Sequence, residues 1–190
     1  EPVAGADFFG AAFKPKRGKQ LETGVKWMPE NSKLSASAAV YQLVEKNRLT
    51  TDPDPAHVNF SVQLGEVTVK GVELEVQGRL GAWDVIASTT YMDARQTNVG
   101  GDAPIYLDKQ LSGIPRHSAA LWAIHHFGAL GVPGLRAGAG ARYTGRSSDG
   151  IDVTFTPSNT LFDAMVSYDT GPWSVALNVA NLTDKTYIAT

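Results

Sequence analysis

Residues 72–91 read VELEVQGRLGAWDVIASTTY, and this stretch decides the fold. Val72, Leu74, Val76 and Leu80 fall on one side of an extended chain, and Glu73, Glu75, Gln77 and Arg79 on the other. A period of two residues is the mark of a β-strand with unlike faces. Gly81-Ala82 permits a tight reversal, and a second extended run starts at Trp83. The same period recurs along the chain and predicts about eight strands, at roughly 18–27, 34–46, 62–80, 83–95, 116–127, 135–146, 159–169 and 173–183. These are long against the ~5–6 residues of an ordinary strand. Several reach the ~10 residues that a tilted strand needs to cross a bilayer.

The connections alternate in length. MPENSK, GA, GALGVPG and DTGP are short; KNRLTTDPDPAHVNF, QTNVGGDAPIYLDKQLSGI and SSDGIDVTFTPS are long and polar. In an up-and-down meander successive connections lie at opposite ends of the sheet. All short turns therefore gather at one end and all long loops at the other, as in outer-membrane barrels.

Other strands repeat the division of faces. Leu135, Ala137, Ala139, Ala141 and Tyr143 oppose Arg136, Gly138, Gly140 and Arg142, and Phe162, Ala164, Val166 and Tyr168 oppose Asp163 and Ser167. Alternation alone fits a soluble sandwich equally well; aromatic placement separates the two. Trp27, Trp83, Tyr168 and Trp173 lie at the short-turn end, and Tyr91 and Tyr143 near the long-loop end. Eight residues of tilted strand between the two levels span about 20 Å, close to the height of an apolar band between two aromatic girdles. Glu73, Glu75, Arg79, Arg136, Arg142 and Asp163 then line a polar lumen. The fold expected is all-β: an antiparallel up-and-down transmembrane β-barrel segment.

Two segments resist orientation. Residues 116–127 put Trp122 and Ile124 on one face and Leu121 and Phe127 on the other, and residues 34–44 are apolar on both. Around Lys70-Gly71 the apolar phase slips, which predicts a bulge at Gly71.

Composition narrows the function classes. The net charge of −2 offers no basic surface for nucleic acid. With no cysteine there is neither disulfide framework nor thiolate metal site. No apolar run reaches the ~18 residues of a membrane helix, and EPVAGADFFG does not read as a signal peptide. The 19 glycines and 10 prolines are dispersed, which speaks against a linker and a domain boundary.

Candidate chemistry is sparse. His125 and His126 are adjacent and point to opposite faces of a strand, so they cannot share an ion; His57 and His117 stand apart. Asp52, Asp54, Asp149 and Asp152 read as turn formers beside Pro and Gly rather than as a calcium loop. Neither a nucleophile elbow nor a phosphate loop is present. Asn181-Leu182-Thr183 matches the glycosylation pattern, but at a strand end it reads as coincidence. The loop aromatics Phe60, Tyr106 and Phe155 are either packing anchors or parts of a ligand mouth. No catalytic, metal or cofactor site is expected, and the chain is not read as an enzyme.

Six segments in order resemble TonB-dependent siderophore receptors: 13–27 (FKPKRGKQLETGVKW), 34–55, 65–80, 111–123, 134–145 and 160–187, the last ending in LNVANLTDKTY. The resemblance implies a 22-stranded outer-membrane barrel that contains a plug domain, binds ferric siderophores and imports them with energy from the TonB complex. Residues 1–190 would then be the C-terminal part of such a barrel, without plug or flanking strands, and Thr190 would not be its end. The implied partners are the ferric siderophore, the TonB complex through the plug, and outer-membrane lipid. The alternatives are a passive porin-like barrel and a small closed eight-stranded ligand-binding barrel.

Overall fold

In a strand with two unlike faces, each backbone group must find its partner in the next strand, so the expected meander is also the simplest sheet. The computed structural model describes residues 5–52, 54–99 and 104–188; residues 1–4 and Thr190, on which expectations also rested, lie outside them. Among the described residues ten strands occur: β1 (Arg17–Trp27), β2 (Leu34–Thr51), β3 (Ser61–Leu80), β4 (Trp83–Asn98), β5 (His117–His126), β6 (Leu135–Thr144), β7 (Ser147–Ser148), β8 (Phe155–Thr156), β9 (Asn159–Thr170) and β10 (Trp173–Val179). Eight form one antiparallel sheet in the order β1-β2-β3-β4-β5-β6-β9-β10; β7 and β8 pair as a small hairpin in the last long loop. All eight expected strands are present. β1 and β10 are the two edges of this sheet, and among the described residues no pairing joins them, so the sheet is open and not the small closed eight-stranded barrel.

Cross-strand partners share a face, so the register assigns each side chain. Leu74 faces Ala38 and Thr89, Ala87 faces Leu121, Leu121 faces Ala141, and Ala141 faces Phe162. This outward face is apolar from edge to edge. Glu73 faces Ala39 and Thr90 on the inward face. Burial is inverted relative to a water-soluble domain: only Val67, Ala94, Leu111 and Leu161 are buried hydrophobics among the described residues, while Val25, Val40, Leu74, Leu121, Val166 and Leu177 are all exposed. A contiguous apolar face of this extent is not stable against water and marks a surface built for lipid.

The register orients the strand that periodicity left open. Leu121 points outward, whereas Trp122 and Ile124 point inward opposite Gly140 and Gly138. The Trp122 ring occupies the space above Gly140, where a Cβ would overlap its six-membered ring. In β2 the ambiguity resolves the same way, with Ala36, Ala38 and Val40 outward and Ser35, Ser37, Ala39 and Tyr41 inward.

Gly71 does not form the expected bulge. Its register runs unbroken, opposite Tyr41 and Met92, and the ladder instead shifts between Glu66 and Val67, five residues earlier. Gly71 is required because the Tyr41 ring lies over it, where a Cβ would overlap the ring. The phase slip is an inward stretch, Val67 and Val69, which belongs to a small cluster with Ala94, Leu111, Met92 and Ile114 under the long loop.

β10 also ends earlier than periodicity suggests, at Val179 rather than near residue 183. Asn181 adopts φ 50°, and its amide donates to Asp163 Oδ1 at 2.9 Å. The Leu182 amide donates to the Phe162 carbonyl at 2.6 Å. The Asn181 side chain donates to the Lys185 carbonyl and accepts from the Lys185 amide, both at 3.0 Å. Asn-Leu-Thr is therefore a turn whose asparagine is already engaged.

The Trp122–Gly140 joint yields a stability prediction. Gly140→Ala in the full-length protein is expected to destabilise the folded barrel by about 1–3 kcal/mol, the usual cost of overpacking. Trp122→Ala in the same background should restore part of the loss. Urea unfolding in detergent checks this; equal midpoints for Gly140→Ala and the parent would remove the joint from the account.

Candidate functional site

The inward face collects the charges that alternation places there. Among the described residues three arginine–carboxylate groups cross it. Arg79 Nε donates to Asp84 Oδ1 at 2.6 Å and its Nη2 to Oδ2 at 2.8 Å, and His126 Nε2 lies 2.5 Å from that same Oδ2. Arg136 Nη2 donates to Asp169 Oδ2 at 2.6 Å, and the Ser174 hydroxyl donates to Oδ1 at 2.5 Å. Arg142 Nε donates to Asp163 Oδ2 at 2.8 Å. Each guanidinium is thus matched by a carboxylate on an adjacent strand, the arrangement that lets a polar surface hold charge without a net field.

Glu73 and Glu75 differ. They stand beside Glu22 along a trough of about 640 Å³ that also includes Ser37, Ser88 and Thr90, and no ion pair to any of the three glutamates occurs among the described residues. Opposite each other in register, Arg136 Nε and Ser167 Oγ are buried without a hydrogen-bond partner among the described residues. All six residues expected on the polar lumen side share this inward face.

The six aromatics expected at the rims share the opposite face. Trp27, Trp83, Tyr91, Tyr143, Tyr168 and Trp173 are all outward and all exposed. His125 joins them, packed edge-on against Trp83 and Phe127 at 4.7 and 4.6 Å between centroids, and His117 sits 4.8 Å from Tyr91. Among the described residues no group of three or more His, Asp or Glu side chains is arranged to hold a metal.

The three loop aromatics do not converge. Phe60 packs edge-on against Phe8 at 5.2 Å, and Phe8 stacks on the His57 ring at 3.7 Å. Phe155 lies beneath the Arg146 guanidinium at 4.7 Å. Tyr106 closes the short 3-10 turn Pro104–Tyr106 on a third segment. The Phe8–His57 stack escaped sequence reasoning because residues 5–13 are folded back by local bonds, Asp7 to Ala11 and Gly10, onto a loop some fifty positions away. Asp84, His126 and Asp169 escaped as well; only strand register could have found them.

Two loops are tied by carboxylates. Asp52 accepts from the Asp54 amide at 2.9 Å, which holds its carboxyl below the usual range, and His57 Nδ1 lies 2.8 Å from its other oxygen. At Asp149 burial pushes the carboxyl up, but the amides of Ile151, Thr154 and Val153 and the Ser148 hydroxyl together hold it lower than usual.

A family model described as "TonB dependent receptor-like, beta-barrel" matches residues 2–182. The chain is 38% identical to the ferrichrome outer membrane transporter/phage receptor of Escherichia coli over 196 aligned residues, spanning 100% of the chain and 25% of that protein. It is 36% identical to a ferrioxamine B receptor of Salmonella typhimurium, spanning 99% of the chain and 27% of that protein. Among solved structures, the siderophore receptor PiuA of Acinetobacter baumannii superposes with a TM-score of 0.74 at 30% identity, over 90% of this chain and 25% of that one. The chain thus spans about a quarter of the length of the relatives it matches.

The sign of the Asp149 effect sets a pH prediction. A carboxyl whose folded pKa is depressed stabilises its loop above the unfolded value, ~3.9, and that contribution is lost as pH falls through the folded value. Amide protection at Ile151, Val153 and Thr154, corrected for intrinsic exchange, should therefore hold near neutrality and fall below about pH 4. Asp149→Ala should show the loss already at neutral pH. Unchanged protection in that variant would dismiss the carboxylate as the loop's anchor.

Proposed function

The chain belongs to the TonB-dependent receptor β-barrel family of the bacterial outer membrane, and from that premise we propose that its parent protein takes up ferric siderophores using energy from the TonB system. The observation that carries this reading is the match across nearly the whole chain to receptors named for ferrichrome and ferrioxamine. The two-faced sheet supports it: an apolar, aromatic-rimmed surface outward and a charge-matched surface inward suit a barrel wall between lipid and a hydrated interior.

In this reading Trp27, Trp83, Tyr168 and Trp173 mark the periplasmic interface, and Tyr91 and Tyr143 the extracellular one. Glu73, Glu75, Arg79, Arg136, Arg142 and Asp163 line the lumen. The paired arginines keep that wall wet without attracting counter-ions strongly, whereas the unpaired glutamates bias it toward cations. A plug domain within the barrel would couple the lumen to the TonB complex. Loops bearing Phe60, Tyr106 and Phe155 contribute contacts to the arriving ligand. The ferric complex is cargo; no resident cofactor and no covalent chemistry enter the cycle.

Deleting the gene for the full-length protein tests this. Growth on one member of a panel of ferric siderophores that includes ferrichrome and ferrioxamine B, each as sole iron source, should be lost and restored by the intact gene, but not in a strain lacking TonB. Uptake that persists without TonB, or single-channel conductance by the purified protein with no affinity for ferric siderophores, would replace this reading with a passive pore.

A further inference from the structure

Two of the long connections are not separate. Residues 104–116, between β4 and β5, are bound to the wall before β5 begins. The amide of Asp108 donates to the Gln96 carbonyl at 2.8 Å, that of Gln96 to Lys109 at 3.1 Å, that of Leu111 to Ala94 at 2.9 Å and that of Met92 to Arg116 at 2.8 Å. Leu111 is buried with Val67 and Ala94. The connection is therefore held by β3 and β4 beyond the regular ladder that starts at His117.

Residues 145–158, between β6 and β9, are fastened to it in turn. The Gly113 amide donates to the Ser148 carbonyl at 2.9 Å, and Lys109 Nζ lies 3.2 Å from Asp152 Oδ2. Gly150 comes so close to Ser112 that an added Cβ would stand 3.2 Å from the Ser112 Cβ. Ser148 works on both sides of this seam: its Oγ also accepts from the amides of Gly150 and Asp152 at 3.1 and 3.2 Å. Among the described residues no hydrogen bond, ion pair or ring contact joins either connection to residues 52–60, the tip between β2 and β3.

We propose that the β4–β5 and β6–β9 connections form one cooperative body that opens as a unit, with the Lys109–Asp152 pair and the Gly113–Ser148 bond as its seam. Segments open together when the bonds that order one need the other in place. That condition is met here. Among the described residues the β6–β9 connection has no buried hydrophobic side chain, and its β7–β8 pairing is two residues long, too short to stand alone. Its support comes from the neighbouring connection, which the wall holds through Leu111. Tyr106 and Phe155 lie on different connections, yet one body carries both, and Lys109 and Asp152 are its positioning residues. That role at the mouth rests on the uptake reading above; the coupling itself does not.

Amide hydrogen exchange on the full-length receptor in detergent, without cargo, tests the coupling. Leu111→Ala, remote from the seam, should speed exchange at Ile151 and Thr154 about ten-fold or more. Asp149→Ala should speed it at Leu111 and Gly113 about five-fold. Lys109→Gln should speed both connections about three-fold, and Lys109→Arg should restore them. His57 and Phe60 should be unchanged throughout. An effect of Leu111→Ala confined to residues 104–116 would overturn the proposal, as would equal speeding at His57 and Phe60, the sign of a wall loosened as a whole. Affinity for ferrichrome and ferrioxamine B on the same samples reads the role at the mouth. A bound siderophore should be weakened by Lys109→Gln and recovered by Lys109→Arg, whereas coupled exchange without affinity for any ferric siderophore rejects the uptake reading alone.

Discussion

Inside hydrocarbon a backbone amide finds no water, so each N–H and C=O of a spanning strand must be paired with the neighbouring chain. Everything else in this protein follows from that constraint. It sets strands of ten residues and more, joins them in simple sequential order, and leaves the side chains to satisfy two different solvents on two faces. The apolar outward rows and the charge-matched inward rows are one pattern read from either side. Burial in the usual sense is almost absent, and the small Val67–Ala94–Leu111 cluster sits where a long loop, not lipid, covers the sheet.

Much of this was legible before any coordinates. Where one face was wholly apolar and the other charged, as in Val72–Leu80 and Leu135–Tyr143, periodicity placed each side chain. The alternating loop lengths fixed which end was which. Legibility failed where a strand carried large apolar residues on the inward face. Trp122 and Ile124 are as apolar as Leu121 and Phe127, so composition does not orient the strand; they sit inward because Gly140 and Gly138 on the facing strand leave room for them. Such a pair is a property of two neighbouring strands, β5 and β6, and no window along one strand contains it. Gly71 misled for the same reason: its partner is the ring of Tyr41, not a break in its own strand.

The inward and loop residues divide similarly. Sequence could say that Arg79, Arg136, Arg142 and Asp163 share a face; only register shows that each arginine has its own carboxylate, and that among the described residues Glu73 and Glu75 have no cation. In the loops, pattern offers aromatics but not their company. Phe60 joins Phe8 and His57, Phe155 joins Arg146, and Tyr106 stands in a turn of its own. Loop conformation here depends on single carboxylates such as Asp149 gathering several amides, a many-to-one geometry with no periodic trace.

The open, strictly sequential strand order has a further consequence. Among the described residues each of the eight strands is hydrogen-bonded only to its immediate neighbours in the order β1-β2-β3-β4-β5-β6-β9-β10, so the sheet behaves as a one-dimensional chain of coupled units, as stacked repeats do. A defect in one strand weakens two seams and leaves distant ones intact, because no shared core transmits it. Assembly can proceed hairpin by hairpin from either side, each step templated by the last exposed ladder. The same property lets the long connections change in length and sequence without renegotiating the rest of the wall. In that sense the architecture separates the segments that are free to vary from the rows that must meet lipid on one face and pair with a neighbour at each edge.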